Sequence, residues 1–81
     1  YYYDALYNLG LIDFENTKYE ASIPVFSRII NDNKSQTYVP LALQKRAIAY
    51  NNIKDYEKSA EDYKTILNTY NTSKVAGSAV M

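Results

Sequence analysis

The chain repeats itself at a spacing of 37 residues. Laid over residues 38–81 without a gap, residues 1–44 are identical at nine of 44 positions. Tyr1 meets Tyr38, Ala5 meets Ala42, Leu6 meets Leu43, and Tyr19-Glu20 meets Tyr56-Glu57. Ser22, Ile29, Asn31 and Ala42 meet Ser59, Ile66, Asn68 and Ala79. Conservative pairs include Phe26 over Tyr63, Ile30 over Leu67, Leu11 over Ile48 and Gly10 over Ala47. A fixed period of roughly 20–50 residues marks a chain that stacks one supersecondary unit on the next, each burying its apolar face only against its neighbours. The units span about 1–37 and 38–74, with 75–81 opening a third. A start at Tyr1-Tyr2-Tyr3 and a stop at Met81, just inside that third unit, read as one section of a longer array. Exposed repeat ends are then expected, and with them a homo-oligomer formed through those ends.

Within each unit the apolar period is helical. Leu6, Leu9, Gly10 and Asp13 share one stripe, with Tyr3, Tyr7 and Leu11 beside it, predicting a helix over about 2–15. Tyr19, Ile23, Phe26, Ile29 and Ile30 predict a second over about 19–32, although Pro24 should make it start late or bend near Ser22. A third is predicted over about 39–53, with Pro40 in its first turn. A fourth, over about 56–70, has Asp55 as N-cap, Glu57 in its first turn and the stripe Ala60, Tyr63, Ile66 and Leu67. Val75 would begin a fifth.

These residues resemble the tetratricopeptide repeat. The carriers are Leu9-Gly10, Tyr19-Glu20, Phe26 and Ile30 in the first unit. In the second they are Ala47-Ile48-Ala49-Tyr50, the run from Lys54 to Tyr63, and Ile66-Leu67. The family's small residues fall on Gly10 and Ala47 in the first helices, and on Ser22 and Ser59 in the second. Its rings fall on Tyr19, Tyr56, Phe26 and Tyr63. Small side chains let paired axes approach, and the rings fill the space between repeats. The resemblance implies an all-α fold, a right-handed superhelix of antiparallel helix pairs, and a role in protein–protein interaction. A period of 37 residues exceeds the family's usual 34, the closing Pro is missing, and Ile29 and Ile66 stand where Ala is commoner. Long units of this kind resemble those of bacterial cell-envelope proteins, such as outer-membrane-assembly lipoproteins and the Tol–Pal accessory protein. That implies a periplasmic or envelope location, with the cytoplasm as the alternative.

Charge and composition narrow the function. Nine Lys+Arg balance nine Asp+Glu, so the field that draws proteins to nucleic acid or anionic membrane is absent. No apolar run approaches a membrane span. The chain has no Cys and no His, its two glycines stand apart at 10 and 77, and Asp13 and Glu15 diverge on their helix. Nothing here suggests an activated nucleophile, a phosphate loop, a carboxylate pair or a metal site, so neither an enzyme nor a cofactor is expected. Lys45-Arg46 and the run Lys54, Lys58, Lys64, interleaved with Glu57, Glu61 and Asp62, read as a solvated face. Of the ten tyrosines, Tyr19, Tyr56 and Tyr63 are expected in the core, while Tyr7 either binds a partner or is a solvated ring.

The expected partner surface is the concave side formed by the first helix of each unit: Tyr7, Asn8, Leu11 and Glu15, then Gln44, Lys45, Ile48 and Asn52. Family members that grip a carboxylate tail place Lys and Asn one turn apart there. Tyr7, Leu11, Gln44 and Ile48 occupy those positions here, so an acidic C-terminus is not the expected ligand. The rival reading is a structural spacer or self-association module within a longer array.

Overall fold

A computed structural model describes residues 2–70. They form α1 (Tyr2–Glu15), α2 (Tyr19–Asp32), α3 (Tyr38–Asn52) and α4 (Tyr56–Thr65), the last continuing as a π-helical turn over Ile66–Tyr70. The fifth helix expected from Val75 lies outside the described residues. Each helix packs on the next along the chain, and α1 also touches α3. This is the all-α stack of helix pairs that the period implies.

The two hairpin turns are copies of each other. Thr17 and Lys54, one period apart, both take left-handed backbone angles, φ 62° and 69°. The Thr17 N–H donates to the Phe14 carbonyl and the Lys18 N–H to that of Asp13, at 3.1 and 2.8 Å. Lys54 and Asp55 donate likewise to Asn51 and Tyr50, at 3.1 and 2.9 Å. These bonds satisfy the orphan carbonyls at a helix C-terminus, and the left-handed residue reverses the chain. A short polar stretch thereby sets the antiparallel pairing of α1 with α2 and of α3 with α4.

Close approach at small residues then builds the core. Gly10, Ser22, Ala47 and Ser59 are all buried. A Cβ at position 10 would stand 2.7 Å from Phe26 Cε1 and 2.9 Å from Cζ. Phe26 is wholly buried and cannot swing away. Alanine would improve helix propensity by about 1 kcal/mol, but overpacking a filled core costs about 1–3 kcal/mol. Glycine is therefore the better residue at this crossing. Across the junction between units, Phe26 and Ile29 of α2 meet Val39, Ala42 and Leu43 of α3, and these five form the central cluster. Burying a side chain such as Phe26 or Ile29 contributes about 1.5–3 kcal/mol.

Pro24 does not delay α2, which begins at Tyr19. The carbonyl left without a partner by the missing N–H is that of Glu20, an exposed residue that water can serve. Asp55 holds the N-cap position of α4, yet its side chain caps nothing; it lies 4.0 Å from Lys58 Nζ instead. The regular part of α4 ends five residues early. There the Thr65 hydroxyl donates to the Glu61 carbonyl at 3.0 Å, competing with the backbone for that acceptor.

Five core assignments are corrected. Leu9 is exposed: among the described residues nothing covers it as Ser27 and Asp62 cover its counterpart Arg46. Tyr56 is exposed although Tyr19 packs edge-on against Phe14 at 5.3 Å, because the counterpart of Phe14 is Asn51. Tyr63 and Leu67 are exposed, and Ala60 with them, because among the described residues no helix lies on the stripe of α4 as α3 lies on α2.

The solvated reading of Arg46 and Asp62 also fails. Asp62 is buried and accepts two bonds from the Arg46 guanidinium, 2.8 Å from Nε and 2.7 Å from Nη2. Arg46 Nη1 donates to Ser27 Oγ at 2.9 Å, and the Tyr50 ring lies 5.6 Å from the guanidinium carbon. One side chain thus ties α2, α3 and α4 together. The bonds to Asp62 hold the guanidinium's pKa above its ordinary value, against the opposing effect of burial. In the first unit the counterparts are the apolar pair Leu9 and Val25. Removing one member of such a pair strands a buried charge and costs about 3–5 kcal/mol, whereas replacing both by apolar residues is often neutral. Arg46→Leu should therefore destabilise the chain by about that amount in urea unfolding. Arg46→Leu with Asp62→Val, which copies the first unit, should lose much less. Equal losses would mean that Asp62 is solvated once its partner is gone.

Candidate functional site

The face shared by α1 and α3 is assembled by aromatic contacts across the unit boundary. Tyr7 sits between the Phe26 ring at 5.8 Å and the Tyr38 ring at 5.3 Å. The Tyr38 hydroxyl donates to Asp4 Oδ1 at 2.9 Å, and Lys45 Nζ lies over the Phe14 ring at 5.2 Å. These contacts place the N-terminal turns of the two helices against one another, and their C-terminal halves likewise.

On this frame the expected lining residues fall into equivalent rows. Tyr7, Leu11 and Glu15 follow one another at i, i+4 and i+8 on α1, and Gln44, Ile48 and Asn52 do so on α3. Tyr7, Leu11, Lys45 and Ile48 are half-buried, while Asn8, Glu15, Gln44 and Asn52 are exposed. The Asn52 amide donates to the carbonyl of Ile48 at 2.9 Å, which leaves its oxygen as the group offered outward. The Tyr7 ring is wedged in the aromatic contact, with only part of its surface open.

Further residues join the face. Leu41 is exposed, and Pro40, Leu41, Gln44, Tyr63 and Ile66 enclose a cavity of about 340 Å³ beside it. Tyr38 and Leu41 precede Lys45 and Ile48 at helical spacing, so the stripe 38-41-45-48 was a usable signal in the sequence. The link from Tyr38 to Asp4 was not, since it spans 34 residues and joins different helices.

The face is mild in charge. Lys45 is engaged over a ring, Asp4 is bonded to a phenol, and Glu15 stands at the rim. At the neighbouring edge the Tyr3 hydroxyl donates to Asp32 Oδ2 at 2.9 Å, and Arg28 Nε lies 3.5 Å from the same oxygen. Among the described residues no three metal-ligating side chains converge, and no helix is long and apolar enough to cross a membrane.

The tetratricopeptide-repeat family model matches residues 4–34 and 41–73, covering α1 with α2 and then α3 with α4. The chain belongs to the tetratricopeptide-repeat family. The two matches begin one 37-residue period apart, in agreement with the internal alignment. Tetratricopeptide repeats bind protein partners and mediate protein–protein interaction, and that general role applies here. No match was found among curated proteins or among solved structures.

The phenols of this face give it a pH signature. Burial pushes the Tyr7 pKa above its ordinary value of about 10. Burial and the bond to Asp32 raise that of Tyr3, and the bond to Asp4 followed by burial raises that of Tyr38. A group with a raised folded-state pKa keeps its proton longer in the folded chain. Its stabilising effect is present below the unfolded value and is lost as pH rises through the folded one. The thermal midpoint should therefore fall once pH passes about 10, and Tyr3→Phe with Tyr38→Phe should flatten that fall. A fall of unchanged steepness in the double variant would count against these pairings.

Proposed function

We propose that the α1–α3 face is a groove that holds a segment of a partner protein by apolar and aromatic contact, and that the chain acts as a non-catalytic scaffold. The observation that carries this reading is the pair of equivalent rows. They present part-open Tyr7, Leu11 and Ile48 beside exposed amides on Asn8, Gln44 and Asn52, with the charges nearby either engaged or at the rim. A part-buried aromatic and aliphatic floor with a polar margin suits protein recognition. The side-chain amides supply the donors and acceptors that an extended backbone or a helix needs.

Salt separates this groove from an electrostatic one. Between about 0.1 and 1 M salt the Debye length shrinks from about 10 to 3 Å, which weakens exposed charge pairs and leaves apolar contact intact. Peptides selected from a random library on the immobilised chain should be rich in aromatic and branched aliphatic residues. Their affinity should change by less than about threefold across that range. Ile48→Asp should abolish their binding while the helical circular dichroism persists, because Ile48 lies outside the central cluster. Selected peptides that are highly charged, released by salt and indifferent to Ile48→Asp would overturn the assignment.

A further inference from the structure

The α1–α3 face changes polarity along its length. Toward the start of the two helices its exposed polar groups are the amides of Asn8 and Gln44, and Asp4 is engaged by the Tyr38 hydroxyl. The other end is formed by Glu15 and Asn52, the last residues of α1 and α3 and one period apart. Both are exposed. The Asn52 amide donates to the Ile48 carbonyl at 2.9 Å, so its oxygen turns outward. Among the described residues Glu15 enters no ion pair, and the Lys45 ammonium lies over the Phe14 ring instead of on a carboxylate. This end therefore offers chiefly acceptors, one of them charged. From Glu15 and Asn52 the chain runs on into the walls of a cavity of about 380 Å³. Tyr19, Ala21 and Ile53 supply its apolar surface, and the charges of Lys18 and Glu20 on the same wall are opposite in sign.

We propose that the Glu15–Asn52 end receives a lysine or arginine side chain of the partner segment, and that this contact sets the direction in which the segment lies. The inference rests on the reading of the α1–α3 face as a groove for such a segment. A basic head group carries donors only, which the Glu15 carboxylate and the Asn52 oxygen accept. Its methylene stem can lie along the apolar wall at Tyr19 and Ile53 while the charge stays in water. An acidic side chain would meet the Glu15 charge at the same place. Reversing the segment would carry its basic residue to Asn8, whose counterpart on α3 is Lys45, and like charges there oppose it. From the Leu11–Ile48 row to the Glu15–Asn52 row is a step of four residues, about 6 Å along the helices. An extended segment covers that in about two residues, and a helical one in about four. The basic residue is therefore expected at one of those spacings from the side chain seated on Leu11 and Ile48, always on the same side. The pair is exposed, so it adds about threefold to affinity and leaves the apolar floor as the main source of binding.

Peptides selected from a random library on the immobilised 81-residue chain test this. They should share one basic residue on a fixed side of an apolar anchor. At about 0.1 M salt, replacing that residue by Gln should weaken binding about threefold. Glu15→Gln should cost the parent peptide the same factor and make the chain indifferent to the replacement. Glu15→Lys should prefer a peptide carrying Glu at that position over the parent peptide. Glu15 is exposed, so both variants should keep the parent's circular dichroism. A nitroxide at the basic end of the peptide should broaden the amide signals of Asn16 and Ile53, and one at the far end those of Asp4 and Leu41. Peptides without a common basic residue would overturn the inference. So would binding that Ile48→Asp abolishes but that neither Glu15 variant alters, or broadening at both ends from either label; these results leave the groove standing. Failure to select any peptide, or binding indifferent to Ile48→Asp, would overturn the groove and this inference together.

Discussion

The structure depends on the packing of α2 against α3, where Phe26 and Ile29 meet Val39, Ala42 and Leu43. Each hairpin alone offers one apolar stripe and cannot close a core around it. Joining two hairpins at this junction produces the fully buried side chains. Gly10 is part of the same arrangement, because it lets α1 lie on the Phe26 ring while α3 covers that ring from the other side. Tyr7 and Tyr38 then extend the junction outward to the α1–α3 face. The shape of the candidate groove is therefore a consequence of the core, not of loops added to it.

The two units are equivalent in backbone and unequal in chemistry. Both turn through a left-handed residue, and both hide a small side chain at the helix crossing. The first unit fills its remaining positions with Phe14, Val25 and Phe26. The second uses Asn51, Asp62 and Tyr63 at the same places. A charged clamp through Arg46 and Asp62 holds the second unit where rings and branched chains hold the first. Such a clamp adds geometric selectivity, since a bidentate guanidinium fixes direction as well as distance.

Much of this was legible in the sequence because it is local or periodic. The helical spans followed from spacing, the small residues from the internal alignment, and the family from the motif around Tyr19-Glu20 and Tyr56-Glu57. The rows 7-11-15 and 44-48-52 were legible for the same reason. What escaped depends on neighbours that one helix does not encode. Asp62 looks like its solvated neighbours Glu61 and Lys64 until Arg46 is seen beside it, 16 residues away in sequence. Tyr56 shares its alignment position with Tyr19, yet only Tyr19 has a ring to lie on. Leu9 and Tyr63 carry core chemistry at positions that become core only when another unit covers them.

Native-state hydrogen exchange at low protein concentration tests the central role of the α2–α3 junction most directly. If that junction closes the core, the slowest amides belong to α2 and α3 around Phe26, Ile29, Ala42 and Leu43, opening only with global unfolding. The amides of α4 beyond Tyr63 should exchange by local opening, at much lower cost. Slowest exchange in α4, or uniform protection that ignores the junction, would contradict the account.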